Sequence, residues 1–302
     1  MEKTKNRTKR PFKPSVALTI LFVILAIYTI IFFMPLLWTL ITSLKDWKVY
    51  RVATVQGDLG GMLGFSGFTF ANYGSAFKYL AMPTRKGDVS LIIQFVNSFL
   101  YAGGCAIIAT MVPCIMAYLV ARYNFRFGKI VYGIVLVTMA IPIVGSLPSE
   151  MKMVSSLGLM DSVFGLYILR ANFLGIYFLV FYATFKMIPK DYTEAAELDG
   201  ASEFYIMLRI IFPIAIGTIT TVALLKFIEF WNDYQIPMIY WESRPVVAYG
   251  LYYFVHRNDG GSLSQTPVKL AGMIIIAIPI LVLFGVFNKK IMSNMSIGGV
   301  KG

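Results

Sequence analysis

The 302 residues are 58% hydrophobic and only 14% charged, a balance that excludes an ordinary soluble domain and marks an integral membrane protein. A formal net charge of +12 in such a chain points to basic ends beside a membrane. Nucleic acid is excluded as a partner, because its recognition needs a basic face on a soluble domain.

Residues 1–14 carry Lys3, Lys5, Arg7, Lys9, Arg10 and Lys13 against Glu2, a basic tail predicted to be cytoplasmic by the positive-inside rule. The apolar run from Val16 to Leu44 is too long for a signal peptide and lacks a small-residue cleavage pattern. It reads as an uncleaved first span. Residues 45–88 form a long polar segment that parity places outside, since long loops translocate with little regard to their lysines and arginines. A second span is expected from Leu91 to Val120, closing on a short basic loop with Arg122, Arg126 and Lys129.

A third span follows from about Ile130 to Leu147. A fourth, from about Phe164 to Phe185, is interrupted by Arg170 and Asn172 and returns the chain inside at Lys186 and Lys190. The fifth runs from Phe212 to Trp231, residues 232–266 form an outside loop, and the sixth spans Leu270 to Phe287. The expectation is an all-α, six-helix transmembrane domain over residues 15–291 with both termini cytoplasmic, and a small flexible tail over 292–302.

Residues 188–213 stand apart from these spans. Pro189 ends what precedes it, and Asp191, three residues before Glu194, reads as an N-cap of capping-box type. Glu194 to Asp199 should form a short helix with acids near its positive end. Gly200 supplies a residue able to take positive φ, and Ser202 can cap a second helix toward Pro213. The physics alone leaves open whether this is a working element or a solvated loop.

The order and spacing Glu194-Ala195-Ala196, Gly200, Ile210, Phe212-Pro213 resembles the "EAA" coupling loop of ABC importer permeases, with Phe212 where that family usually has Leu. Other stretches resemble the carbohydrate branch of maltose (MalG-like) type. They are Asn97-Ser98-Phe99 with Ala117-Tyr118 to Ala121-Arg122, Leu157 to Ser162, Trp231-Asn232-Asp233-Tyr234, and the ending Gly298-Gly299-Val300-Lys301-Gly302. Together they cover most of residues 90–302.

The resemblance implies a non-catalytic subunit in the cytoplasmic membrane of a bacterium, forming half of a sugar or oligosaccharide path. It implies a second homologous permease, two ABC ATPase subunits and an extracellular sugar-binding protein as partners, besides membrane lipids. No Gly-x-x-x-x-Gly-Lys-Ser/Thr run is present, so this chain brings no cofactor of its own, and ATP and Mg²⁺ would be bound by the ATPases. Glu194, Ala195, Ala196, Glu197, Leu198, Asp199 and Gly200 would form the docking helix, with Ala195, Ala196 and Leu198 as its packing face. Gly298, Gly299, Val300, Lys301 and Gly302 would reach between the ATPases.

Polar residues inside spans are costly and usually face a bundle interior or a wet cavity. The candidates for the substrate path are Asn97, Asn172, Glu229, Trp231, Asn232 and Tyr234, with Gln94 and Lys226 beside them. Lys226 and Glu229, at i,i+3, could instead pair with each other, and Trp231 and Tyr234 could be interfacial aromatics. Permeases for polyamines or glycerol phosphate, and an ATP-independent carrier or channel, remain alternatives. A membrane enzyme would need a catalytic cluster, and none is visible. His256 is the single histidine, and Cys105 and Cys114 lie nine helical residues, roughly 13 Å, apart, too far for a disulfide.

Overall fold

The computed structural model describes residues 16–123, 125–141, 145–257 and 265–295. The basic tail over 1–14 and the glycine-rich ending Gly298–Gly302 lie outside the described residues. The described chain is mostly helical. Helix α1 (Val16–Ser43) realises the first expected span, and of its residues only Thr42 and Ser43 are buried. Residues 45–88, whose fold the sequence left open, form α2 (Trp47–Gln56), α3 (Leu59–Leu63), α4 (Ala71–Tyr79) and an antiparallel hairpin, β1 (Met82–Thr84) with β2 (Gly87–Val89). Asp46 caps α2 by accepting from the Lys48 amide at 2.8 Å. Buried Asn72 on α4 ties this segment to the end of α1, donating to the Ser43 and Lys45 carbonyls at 2.8 and 2.7 Å.

Helix α5 (Leu91–Arg122) is the axis of the fold, with buried residues along its whole length. Small residues let neighbours close on it. At Gly104 any Cβ would collide with the Tyr167 ring, whose hydroxyl donates to the Leu100 carbonyl at 2.8 Å. Three buried clusters are distributed along α5. One around Tyr118, Phe185 and Phe212 sits at its C-terminal end, one around Tyr101, Trp231 and Trp241 toward the other end, and one around Leu91, Val247 and Phe254 at its start.

The remaining spans depart from the uniform helices expected. The third is α6 (Arg126–Ala140), followed by α7 (Leu147–Ser156). Pro142 disfavours helical backbone at Ile141, which is extended at φ −96° and ψ 114°. The fourth is split into α8 (Val163–Arg170) and α9 (Ile176–Met187). Asn172 makes the break local, its Oδ1 accepting from the Leu174 amide at 2.9 Å. After α10 (Asp191–Leu198) come α11 (Glu203–Tyr205), a π-helical turn over Ile206–Ile211 and α12 (Phe212–Ile214). The stretch Glu203–Ile214 then meets α13 (Ile216–Trp231) at a bend of 78°. Within the expected outside loop over 232–266, the described residues form α14 (Gln235–Tyr240) and α15 (Val247–His256), 258–264 lie outside the described residues, and the helix expected from Leu270 begins earlier, as α16 (Thr266–Met295).

Among the described residues, α1 and α5 are each long and apolar enough to cross a membrane, and the bent pair adds a third if it is one span. Ile176–Met187 and Thr266–Val282 are shorter apolar helices.

Candidate functional site

Two places gather the sequence-derived candidates. The first is the helix–turn–helix at residues 188–214. Helix α10 starts one residue earlier than a cap at Asp191 requires. Lys190 takes the cap position without a side-chain bond, its carbonyl accepts from the Thr193 and Glu194 amides at 2.8 and 3.1 Å, and Asp191 lies inside the first turn. The acid near the positive end of the helix is therefore real, but it is not the cap.

The turn itself forms as its residues dictate. Gly200 adopts φ 78°, its amide donates to Glu197 at 3.0 Å, and the Ala201 amide donates to Ala196 at 3.0 Å, a Schellman motif. Ser202 then accepts from the Tyr205 amide at 3.4 Å and opens the second helix.

Ala196 faces inward and is buried at 7% exposure with Ile188, Ile206 and Met207 of the same chain. It does not belong to an outward packing face. Asp191, Glu194, Ala195 and Leu198, at i, i+3, i+4 and i+7, form the exposed stripe instead, and Leu198 is 89% exposed. Glu197, Asp199 and Gly200 are exposed beside it.

The elbow is bolted to α5 by residues that composition and spacing did not single out. Arg122 donates to the Ile188 carbonyl at 3.0 Å and the Pro189 carbonyl at 3.3 Å, where the chain enters α10. Tyr123 donates a short hydrogen bond to Glu203 on α11, and burial, reinforced by that bond, raises its phenol above the ordinary value. Tyr118 packs edge-on against Phe185 at 5.5 Å and Phe212 at 6.0 Å. Each such pair adds about 0.5–1.5 kcal/mol beyond its buried area. Arg122 and Tyr118 do lie in the Ala117-Tyr118 to Ala121-Arg122 stretch, which was the available signal.

The second place is a cavity of about 170 Å³ between α5, the α8–α9 break and α13, lined among others by Arg170, Asn172, Lys226 and Glu229. Lys226 and Glu229 form the expected pair at 2.8 Å, and the Lys226 ammonium also lies 4.8 Å from the Tyr177 ring centroid. Arg170 pairs with Asp233 at 3.4 Å and Tyr101 donates to the same carboxylate oxygen at 2.7 Å. Asp233 also accepts from the Ile236 amide at 3.2 Å and so starts α14. The sequence shows Arg170 only as an interruption and Asp233 only within the Trp231–Tyr234 stretch, and their pairing is not legible because nothing local links residues so far apart in the chain.

The other candidates go elsewhere. Asn97 is buried and donates to the Pro245 carbonyl at 3.0 Å, and its neighbour Ser98 accepts from the Val247 amide at 2.8 Å, so this motif fastens α15 to α5. Trp231 is 2% exposed and packs on Phe99 with ring centroids 5.0 Å apart, in the core of this chain. Asn232 donates back to Ile228 at 2.8 Å, and Tyr234 stacks on Tyr252 at 4.5 Å. Asn172 and Glu229 are the two candidates that the fold brings together.

Across the fold, Asp161 holds the loops at the end remote from the elbow. It takes φ 54°, and its carboxylate accepts from the Ser243 amide and hydroxyl and pairs with Lys86 of the hairpin at 3.4 Å.

The family described as "Binding-protein-dependent transport system inner membrane component" matches residues 109–296, which include the whole elbow and every residue lining the cavity. The trehalose transport system permease protein SugB of Mycobacterium tuberculosis is 29% identical, over 89% of this chain and 92% of its own length. The melibiose/raffinose/stachyose import permease protein MelC of Bacillus subtilis is 24% identical, over 95% and 98%. In fold, the chain is similar to one in the crystal structure of a bacterial ABC transporter involved in the import of the acidic polysaccharide alginate, with a TM-score of 0.72 at 24% identity over 93% of this chain and 99% of that one. The chain belongs to the family of binding-protein-dependent transport system inner membrane components.

Proposed function

We propose that this chain is one of two permease subunits of an ATP-driven importer for a sugar or oligosaccharide. The relatives named for trehalose and for melibiose, raffinose and stachyose support the substrate class. In this reading the chain crosses the bacterial cytoplasmic membrane six times, with both termini cytoplasmic and α10 on the cytoplasmic side. A second homologous permease completes the path, an extracellular binding protein delivers the sugar, and two ATPase subunits bind ATP and Mg²⁺.

The observation that carries the reading is the elbow. An exposed Leu198 beside Ala195, flanked by Asp191 and Glu194, offers an apolar knob with an acidic rim on a helix fixed at both ends. Seated in a cleft of an ATPase, it would pass that subunit's closure to α5 through Arg122 and to α13 through the bend after Ile214. The ATPase stroke then shifts the population of two arrangements of the spans. Such a shift needs several kcal/mol of difference, which a rigid, capped lever can transmit. Asn172 and Glu229 would line the path, and the ending Gly298–Gly302 would contact the ATPases.

The test is purification of the tagged chain from membranes in mild detergent, beside Gly200→Asp and Glu194→Lys. An ATPase and a second permease should accompany the wild type, and both variants should lose the ATPase while keeping the permease. Isolation of the chain alone, moving solute in liposomes without ATP, would overturn the reading.

A further inference from the structure

We infer that the junction of α5, α6 and α9 is a binding site for the phosphodiester headgroup of an anionic phospholipid. A cavity of about 460 Å³ opens there, lined by Arg126 and Lys129 of α6, Lys186 of α9, and the rings of Tyr123, Tyr132 and Tyr182. Among the described residues, no acidic side chain lines it. None of the three cations has an ion pair among the described residues. Three like charges held around one hole without a counter-ion are unfavourable unless an anion joins them.

Two further features favour a negative group. Helix α6 begins at this cavity with no side-chain cap from Phe125 and no acid in its first turn, so its positive end is unopposed. Tyr132 and Tyr182 pack at 4.8 Å with their rings tilted by 43°, and Lys186 lies 5.6 Å from the Tyr182 centroid, which holds the ammonium beside the cavity.

A lipid fits better than a free anion because an apolar track leads away from the cavity. On the cavity's own face of α6, Leu136 and Met139 follow Tyr132 at i+4 and i+7 and are 44% and 45% exposed. An acyl chain can lie along that stripe while its phosphate meets the cations, as basic pockets between membrane helices hold anionic headgroups. The site adjoins the elbow, since Tyr123 lines the cavity and holds Glu203. It rests on the transport reading only for the side of the membrane it faces, which is that of α10.

The experiment measures thermal unfolding of the full chain, with whatever subunits accompany it, in a neutral detergent. Phosphatidylglycerol, phosphatidylcholine with the same acyl chains, and inorganic phosphate are titrated in separate arms. Phosphatidylglycerol should raise the midpoint and phosphatidylcholine should not. Arg126→Gln, Lys129→Gln and Lys186→Gln should each weaken the apparent phosphatidylglycerol affinity by about fivefold, the effect of one cation near an anionic surface. Lys48→Gln and Arg51→Gln, on α2, should leave it unchanged.

An equal response to phosphatidylcholine would overturn the proposal, and so would a full response to phosphate alone, which would leave a free-anion site. Retention of lipid selectivity in the triple variant would do the same, and the single variants serve if the triple does not fold. Isolation of the wild-type chain alone, moving solute without ATP but with lipid selectivity intact, would sink the transport reading and leave this site standing.

Discussion

The molecule interrupts its helices at two polar turns that use the same local chemistry to opposite ends. At the elbow, Gly200 at φ 78° stops α10 and Ser202 bonds the next helix's amide. At the α8–α9 break, Gly175 at φ 123° precedes α9 and Asn172 bonds the Leu174 amide. What lies behind each turn decides its character. Behind the elbow stand Tyr118, Phe185 and Phe212, close-packed, with Arg122 holding the entering carbonyls. Behind the break stand Arg170, Lys226 and Glu229 around a cavity. A glycine at positive φ and a side chain bonded to a nearby amide thus accompany a rigid lever where the backing is aromatic and a polar hole where it is charged.

Of the two places, the cavity is the more vulnerable. Asp233→Ala removes the partner of Arg170 and Tyr101 and the acceptor of the Ile236 amide together, and should cost about 3 kcal/mol, the upper range for hydrogen bonds to a charged group. Thermal unfolding in detergent reads it, and Asp233→Asn should recover part of the loss by keeping the Ile236 bond. At the elbow, Arg122→Ala should cost about 2 kcal/mol, as for hydrogen bonds from a charged donor. Its signature is local: limited proteolysis next to Lys190 should speed up more than global unfolding does.

Gly200→Ala is a smaller cut. An added Cβ meets nothing within 4 Å, so the whole effect is backbone strain at positive φ, about 1 kcal/mol. Gly200→Asn should cost less, and a larger loss for Asn than for Ala would refute the left-handed cap. The mildest test lies at the remote loops. Burial raises the Asp161 carboxyl, but the bonds from Ser243 and Lys86 outweigh it, and the net shift is downward. Its contribution is therefore complete above the ordinary aspartate value of about 3.9 and is lost as pH falls through the lower folded value. Protease protection of the hairpin around Lys86 should hold at neutral pH and weaken only below that range, and Asp161→Asn should abolish the dependence.

Local signals were the legible ones. Apolar length gave α1 and α5 nearly to their ends, and the glycine and serine of the elbow gave its turn and second cap. The spans that are broken or bent were legible only as polar interruptions, because a break at Asn172 or a 78° bend after Ile214 depends on what packs behind it. Site residues divided the same way. Lys226 and Glu229, one turn apart, were paired from spacing, whereas Arg170 with Asp233, and Asn97 with Pro245, join distant parts of the chain. Ala196 was misjudged because a short amphipathic helix does not announce which of its faces meets its own chain.

Helix α1 keeps its apolar residues exposed along nearly its whole length, packs on α16, and is clamped by Asn72 at its last turn. A segment of this kind needs no scaffold to enter a bilayer, so it can be committed to the lipid while the rest of the chain is still being synthesised. Biogenesis then proceeds from a tethered start, with everything after Ser43 assembling around α5. A version whose first helix is exchanged for an unrelated apolar helix of equal length, keeping Thr42 and Ser43, should still insert and fold.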